Sequence, residues 1–251
     1  MTKFKLLVLD LDGTTVEPRG DALPSKKVIE AVKKAQKIVG VAVATGRPLS
    51  LAKPVIEALD LKGLGVFNGG AEIIDMASGQ LIYVKKVSVS TLKELVRLCL
   101  PFGYRLYSSE DQYGSQLKSA EDVKTEAEKL FIDSVKSSDA IKILEELEAV
   151  KGIAAHPTKS WTKGDVVDIH VTHAQATKQH GVERLITMLK LSKDEVIAIG
   201  DDHNDVPLMM AAGFKVAMGD APEQVKALAD YVTETLENDG VAVAIEKLIL
   251  K

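Results

Sequence analysis

Short apolar runs that end abruptly in polar or charged residues recur along this chain, and they restrict its fold more than any other feature. Leu6–Leu9 is followed by Asp10 and Asp12, and the run 196–199 by a loop rich in carboxylates. Such runs are typical of buried strands, and the stretches between them carry apolar residues at helical spacing. In open parallel sheets, ligands bind outside the carboxyl ends of the strands. The pattern predicts an α/β fold with a doubly wound, Rossmann-like parallel sheet.

Both ends of the chain show this alternation of strand and helix, whereas the middle does not. Early strands are predicted at 6–9, 39–44 and 65–67, with helices beginning near Ser25 and Pro48. Between about Lys85 and Val171 the charge density rises, and the pattern becomes that of an α+β domain with helices predicted at 90–100, 121–130 and 138–150. We therefore expect a core formed by residues 1–80 and 174–251, with residues 81–173 inserted as a second domain.

The composition of the chain limits the classes of binding partner and the cellular compartments that we expect. The chain has 251 residues and a net charge of −4, so no overall basic field favours nucleic acid or an anionic membrane. One cysteine, Cys99, lies in an apolar run, which allows no internal disulfide and predicts a buried small hydrophobe. No apolar run approaches the roughly 20 residues of a membrane span, and no signal peptide is evident. We expect a cytoplasmic protein.

Asp10 and Asp12 form the first candidate site. They are two residues apart, so on a continuing strand both side chains would point to the same face. One carboxylate could then attack a substrate while the other transfers protons. The structural alternative is a pair of turn or capping aspartates assisted by Gly13 and Thr14.

A second motif, Thr45-Gly46-Arg47, follows another apolar strand. The Thr45 hydroxyl can donate to a phosphoryl oxygen, and Gly46 lets backbone N–H groups approach a ligand. The alternative is an ordinary strand-to-helix turn. Arg47 is either a solvated surface charge or a second phosphate or substrate contact.

Lys178 lies in the first turn of a predicted helix. A cation is unfavourable near a helix N-terminus, so its position suggests an anionic partner, although most lysines are solvated. Gly181, one turn later, would allow this helix to pack closely on the core.

The segment Gly200 to Asp205 places Asp201, Asp202, Asn204 and Asp205 after one strand. Mutual repulsion would raise some of their pKa values unless a cation were bound, and oxygen ligands suit Mg²⁺. An acidic loop that caps a helix is the alternative.

Taken together and in order, these motifs resemble those of the haloacid dehalogenase-like phosphohydrolase superfamily. They are Asp10-Leu-Asp12-Gly-Thr14, Thr45, Lys178 and Gly200-Asp201…Asn204-Asp205. The segment Val206-Pro207-Leu208-Met209 and the triplet Asn68-Gly69-Gly70 look like the Cof-type branch of sugar and small-metabolite phosphatases. In this superfamily, an insert between Thr45 and Lys178 resembles an α/β cap that closes over the site and selects the substrate.

The resemblance implies a role for each motif in one catalytic mechanism. Asp10 would be the nucleophile and form an aspartyl-phosphate, and Asp12 would be the general acid and base. Mg²⁺ would be bound by Asp10, the backbone carbonyl of Asp12 and Asp201, with Asp205 nearby. Thr45 and Lys178 would bind the phosphoryl group, Gly46 and Arg47 are substrate-binding candidates, and Asn204 would position the phosphoryl group or Lys178.

The function expected from these residues is Mg²⁺-dependent hydrolysis of a small phosphorylated metabolite, such as a sugar phosphate or phosphoglycolate. A phosphomutase of the phosphomannomutase type is the nearest enzymatic alternative, since it has a similar core and cap. A non-catalytic metabolite-binding protein with the same fold is the alternative from another class. Release of inorganic phosphate from a single monoester would distinguish the hydrolase.

Overall fold

The computed structural model describes residues 2–109 and 115–251. It divides into two compact units: Met1–Ile82 with Lys178–Lys251, and Tyr83–Thr177. Among the described residues, no helix is both long and apolar enough to cross a bilayer.

The first unit begins with alternating strands and helices and then forms a hairpin. Its early elements are β1 (Leu6–Leu9), α1 (Lys26–Ala35), β2 (Gly40–Val43), α2 (Leu49–Leu59), β3 (Leu64–Phe67), β4 (Glu72–Asp75) and β5 (Leu81–Val84). The predicted start of α1 is confirmed, because the Ser25 hydroxyl accepts a hydrogen bond from the Val28 N–H at 3.2 Å.

The second unit is an α+β structure. Its elements are α3 (Val89–Cys99), β6 (Arg105–Ser109), β7 (Ser115–Leu117), β8 (Lys129–Lys136), α4 (Ser137–Glu148), β9 (Ile153–Lys159) and β10 (Val166–His173). The sheet order is β7-β6-β8-β10-β9, and every pair of neighbours is antiparallel. Its apolar face packs with α3 and α4 in a core that includes Leu95, Ile132, Ile143 and Val171.

The chain then returns to the first unit and completes it. The last elements are α5 (Lys178–Met188), β11 (Val196–Gly200), α6 (Val206–Ala211), β12 (Phe214–Ala217), α7 (Glu223–Lys226), β13 (Tyr231–Val232) and α8 (Gly240–Leu248). The sheet order is β13-β12-β11-β1-β2, and all neighbours are parallel. The predicted α/β fold with a doubly wound parallel sheet is confirmed.

The sheet is buried on both faces, as expected of strands that read as continuous apolar runs. Leu7 and Leu9 of β1 belong to a core cluster shared with α1, α2 and α8, while Leu6 and Val8, which alternate with them, are equally buried. In register, Leu9 is paired with Val43 of β2 and with Ile199 of β11. The residues that follow these three strands therefore emerge at the same edge of the sheet.

The helix predicted at 121–130 is wrong. Only one 3₁₀ turn forms there, at Ala120–Asp122, where Ser119 and Asp122 satisfy each other's backbone groups in a capping box. The chain then enters β8, whose Leu130 and Ile132 are completely buried and alternate with less buried residues. The acidic residues before β8 are compatible with a helix, but the two-residue apolar period that follows favours a strand.

Candidate active site

Three carboxylates meet at the carboxyl edge of the parallel sheet. Asp10 follows β1, Asp201 follows β11, and Asp205 ends the short turn before α6. Each is buried, and each offers a carboxylate oxygen that lies within 4.8 Å of those of the other two. The fold thus brings together three residues that the sequence analysis assigned to a metal site.

Lys178 supplies positive charge to this cluster. Its Nζ donates to Asp10 Oδ1 at 2.6 Å and to Asp205 Oδ1 at 2.5 Å, and its side chain is 6% exposed. Burial alone would lower the pKa of the Lys178 ammonium, but the facing carboxylates raise it overall, so the group stays charged. The solvated-lysine alternative is wrong. The anionic partners suggested by its place at the start of α5 include two of the protein's own carboxylates.

The pKa of Asp10 is raised well above its ordinary value. Burial is the largest cause, and the negative charges of Asp205 and Asp201 add to it, while Lys178 opposes the shift. Three buried carboxylates around one ammonium leave an excess of negative charge if all are ionised. A divalent cation held by carboxylate oxygens would balance that excess, so the residues present fit a hard metal ion.

Asp201 is held by the turn that follows Asp12. The Thr14 hydroxyl donates to Asp201 Oδ1 at 2.8 Å. Gly13 has a φ of +88°, and a Cβ at this position would lie 2.2 Å from Asp201 Oδ2, so both conformation and space require glycine. The Thr15 hydroxyl donates to the carbonyl oxygen of Asp10 at 2.5 Å. No site role for Thr14 or Thr15 was predicted from the sequence; their position directly after the Asp-x-Asp-Gly segment is the signal that could have identified them.

Asp205 is fixed through its other oxygen. Its Oδ2 accepts hydrogen bonds from the backbone N–H groups of Asp201 at 3.0 Å and Asp202 at 3.3 Å. A Cβ on Gly200 would lie 2.5 Å from the Asp205 Cβ, so the glycine makes room for this side chain. One carboxylate therefore joins the loop after β11 to Lys178.

The Asp12 side chain has a different partner from that of Asp10. Its Oδ2 accepts from Arg47 Nε at 2.8 Å and its Oδ1 from Arg47 Nη2 at 2.6 Å. The Asp12 carboxylate is outside the cluster of Asp10, Asp201 and Asp205. The surface-charge alternative for Arg47 is wrong, because its side chain is 3% exposed. A contact between Arg47 and substrate stays a prediction, as does the metal role of the Asp12 backbone carbonyl.

Thr45 is the second residue after β2, which ends at Val43, and so lies at the same edge of the sheet as Asp10. It is buried, its N–H donates to the Val66 carbonyl at 3.0 Å, and its hydroxyl accepts from the Arg47 N–H at 3.1 Å. Gly46 is next to it and partly buried. Asn204 is also partly buried, within the turn His203–Asp205; the described hydrogen bonds of Lys178 go to Asp10 and Asp205 rather than to it. The phosphoryl-binding roles of Thr45, Gly46 and Asn204 stay predictions.

Close packing of α5 brings Lys178 to the cluster. A Cβ on Gly181 would lie 2.5 Å from Val66 Cγ1 in β3 and 3.1 Å from the Gly70 Cα. The expected close packing at Gly181 is therefore confirmed, and its partners are β3 and the turn Asn68–Gly70 that follows it.

Comparison with known proteins identifies the family of this fold and site. The family model for haloacid dehalogenase-like hydrolases matches residues 7–245, which is nearly the whole chain. This protein therefore belongs to the haloacid dehalogenase-like hydrolases, and the resemblance seen in its motifs is confirmed.

Relatives named as phosphatases match almost the full length of the chain. Phosphoglycolate phosphatase 1 of Saccharolobus solfataricus is 28% identical over 247 residues, covering 98% of this chain and 96% of the relative. A 5-amino-6-(5-phospho-D-ribitylamino)uracil phosphatase of Bacillus subtilis is 28% identical over 250 residues, with coverage of 98% and 96%.

Solved structures share the fold at lower identity. A haloacid dehalogenase-like hydrolase from B. subtilis superimposes with a TM-score of 0.85 at 21% identity, covering 98% of this chain and 100% of the other. A subclass IIB sugar phosphatase gives a TM-score of 0.79 at 22% identity, with coverage of 97% and 98%.

Proposed function

We propose that this protein is a Mg²⁺-dependent phosphoric monoester hydrolase that acts on a small phosphorylated metabolite through an aspartyl-phosphate at Asp10. The single observation that carries the proposal is the cluster of Asp10, Asp201 and Asp205 around Lys178 at the carboxyl edge of the sheet. Membership of the hydrolase family and phosphatase relatives of full length support it.

Asp10 is suited to the role of nucleophile. One oxygen of its carboxylate is bonded to Lys178, and its backbone is held by Ile199 and Thr15. In the first step, a carboxylate oxygen of Asp10 forms a bond to phosphorus as the bond from phosphorus to the leaving oxygen breaks. Lys178 reduces the repulsion between the anionic nucleophile and the anionic ester, and Thr45 donates to a phosphoryl oxygen.

Asp12 is suited to the proton transfers, because its side chain is 27% exposed whereas that of Asp10 is 4% exposed. Protonated Asp12 gives its proton to the leaving oxygen in the first step. Its carboxylate then takes a proton from water as the water oxygen attacks phosphorus and the bond to Asp10 breaks. Inorganic phosphate is released, and both aspartates return to their starting states.

Asp10, Asp201 and the Asp12 carbonyl would hold Mg²⁺, with Asp205 close by. When bound, the ion would supply charge neutralisation for the transferring phosphoryl group. The substrate class that we propose is a sugar phosphate or phosphoglycolate, since two relatives are named as phosphoglycolate phosphatases and one structure of the same fold is that of a sugar phosphatase. We also propose that residues 83–177 act as the domain that selects the substrate.

The first test measures phosphate release from phosphoglycolate, hexose phosphates and p-nitrophenyl phosphate, with Mg²⁺ or with chelator. We expect Mg²⁺-dependent release by the wild type and its loss in Asp10→Asn, which removes the nucleophile but keeps the shape. Asp60→Asn is the matched control, because Asp60 is exposed and its φ of +52° is one that asparagine tolerates. Retained Mg²⁺-dependent turnover in Asp10→Asn would contradict the assignment. A wild type that consumes no monoester unless a bisphosphate is added would favour the phosphomutase.

A second prediction concerns Asp12→Ala. Without its general acid and base, this variant should be phosphorylated slowly at best and should not turn over at a useful rate. Positioned acid–base groups contribute roughly 10²–10⁴-fold, so we expect a loss of that order in kcat. Steady-state kinetics with an alkyl phosphate would measure it, and a nearly normal kcat would show that Asp12 does not transfer protons.

A further inference from the structure

The guanidinium of Arg47 is anchored on the side away from Asp12. Its Nη1 donates to the Leu51 carbonyl at 3.2 Å, and its Nη2 also donates to the Arg19 carbonyl at 3.0 Å. These backbone acceptors lie in the first turn of α2 and in the loop before α1. Because Arg47 is also almost fully buried, it cannot turn toward a ligand without breaking these bonds.

The backbone of Arg47 is fixed as well. Its N–H donates to the Thr45 hydroxyl at 3.1 Å, and its carbonyl accepts from the Asn68 N–H at 3.1 Å. The residue after it, Pro48, has a restricted φ and precedes the first turn of α2. Arg47 is thus held at both its backbone and its head group.

The backbone on both sides of Asp12 is also held, because the Gly13 N–H donates to the Val16 carbonyl at 2.8 Å and the Val16 N–H donates to the Leu11 carbonyl at 2.9 Å. The rotation of the Asp12 carboxylate, in contrast, depends on side-chain contacts. Strand β1 ends at Leu9, so Asp12 lies in the turn that leads into Gly13 with its left-handed backbone. Two parallel bonds from a planar guanidinium fix both the place of a carboxylate and its rotation, which a lysine ammonium would not do. A carboxylate has about four lone-pair directions, so this contact leaves others available for proton transfer.

We propose that Arg47 is a positioning residue that holds the Asp12 carboxylate in place for its two proton transfers. This inference rests on the proposed function and deepens it. It differs from the substrate contact predicted from the sequence, because Arg47 acts through Asp12.

The test separates the two chemical steps with p-nitrophenyl phosphate in single-turnover and burst experiments. Its leaving group departs without a proton, so Arg47→Met and Arg47→Lys should form the phosphoenzyme at close to the wild-type rate. Hydrolysis of the phosphoenzyme should slow by up to about 10²-fold, as expected when a reacting group is misplaced by about 1 Å. A burst of nitrophenol equal to the enzyme concentration should then appear. KM should fall together with kcat while kcat/KM stays close to the wild-type value, because the slowed hydrolysis step enters both parameters. Arg97→Met, which removes an exposed arginine elsewhere, is the matched control.

A double-mutant cycle tests whether Arg47 acts through Asp12. Phosphoenzyme hydrolysis in Asp12→Asn/Arg47→Met should be no slower than in Asp12→Asn alone, because Arg47 then has no carboxylate to position. Additive losses, a raised KM with normal hydrolysis of the phosphoenzyme, or full activity in Arg47→Lys would overturn the proposal. Circular dichroism checks that each variant is folded. If Arg47→Met does not fold, the same measurements are made with Arg47→Lys. A wild type that hydrolyses no monoester would overturn the proposed function, and the positioning role with it, whereas an active wild type with additive variants would overturn only the latter.

Discussion

The buried charge of Asp10, which suits the proposed chemistry, lowers the stability of the folded protein. Burial and the charges of Asp205 and Asp201 raise the pKa of Asp10, in spite of its bond to Lys178. An acid whose pKa is raised in the folded state stabilises the fold only while it is protonated. Its contribution is present below the unfolded value near 3.8 and is lost as the pH rises through the folded pKa. Ionised Asp10 therefore favours unfolding at higher pH when no cation is bound.

The corresponding prediction is that Asp10→Asn stabilises the metal-free protein. In chelator, its free energy of unfolding above the folded pKa of Asp10 should exceed that of the wild type, because asparagine carries no charge to bury. The difference in free energy of unfolding should shrink as the pH falls toward 3.8. In Mg²⁺ the wild type should become the more stable protein, because the ion stabilises only the wild type. Urea unfolding across pH, with and without Mg²⁺, measures this. Equal stability of the two proteins in chelator at every pH would contradict the origin given for the pKa shift.

For single residues, the sequence predicted where the site residues lie in the fold better than it predicted which side chains they bind. Asp10, Thr45 and Asp201 follow apolar runs, and parallel register places them at one edge whatever the details of the loops. Two hydrogen-bonded contacts depend on how the turn after β1 directs its side chains. One is the bond from the Thr14 hydroxyl to Asp201, and the other is the pair of bonds from the Arg47 guanidinium to Asp12. No periodicity in the sequence encodes those directions, which is why the partner of Arg47 was left open.

At the scale of elements, the position of α5 determines where the Lys178 ammonium lies. Gly181 contacts β3 without a side chain, and it is on the turn that follows Lys178. The helix can approach the sheet this closely only because Gly181 has no Cβ, which would lie 2.5 Å from Val66 Cγ1 and 3.1 Å from the Gly70 Cα. Gly181 thus determines where the Lys178 side chain ends.

Gly181→Ala should therefore impair both stability and catalysis. A methyl group 2.5 Å from Val66 Cγ1 must displace α5 or β3, with a cost of about 1–3 kcal/mol in the free energy of unfolding. We expect kcat to fall for every substrate, because Lys178 moves with the helix. Val66→Ala in the same chain makes room for the methyl and should restore part of both losses. Normal kinetics in the single variant would show that Lys178 does not depend on this contact.

The elements that the sequence predicted well are those with a clear apolar period. Helix α1 and strands β1 and β11 have caps or continuous apolar runs at their boundaries. Strand β8 was missed because the charged residues before Leu130 extend an apparent helix into its first residues. Its two-residue apolar period begins only there, and pairing in the antiparallel sheet fixes the strand. Strand β13 has two residues, too few for any period to be detected.

Among the described residues, each unit has a large hydrophobic core of its own, and the first unit has a further small cluster that includes Met209 and Val225. Cys99 belongs to the core of residues 83–177, and burial raises the pKa of its thiol to about 12. A thiol in this state is almost entirely protonated near neutral pH and reacts slowly with alkylating reagents. Its labelling therefore reports when this core opens.

We expect Mg²⁺ to protect the two cores unequally. The proposed ligands all belong to the other unit, and a ligand stabilises the structure to which it binds. In urea, Mg²⁺ should raise the midpoint for loss of activity while leaving the midpoint for Cys99 alkylation nearly unchanged. Equal shifts of both midpoints would show that the units unfold as one.

The place of β1 between β2 and β11 has a consequence for synthesis on the ribosome. Strand β1 emerges early and can pair with β2 at once, but its other edge must wait for β11. The bond between Thr14 and Asp201 spans 187 residues, and at 5–20 residues per second that interval lasts roughly 10–40 s. During this time the nascent chain exposes an apolar strand edge and carries Asp10 without Lys178 or Asp201. Until Asp201 has been synthesised the site is incomplete and one edge of β1 is unpaired, and an unpaired apolar strand edge is the kind of surface that favours association between chains.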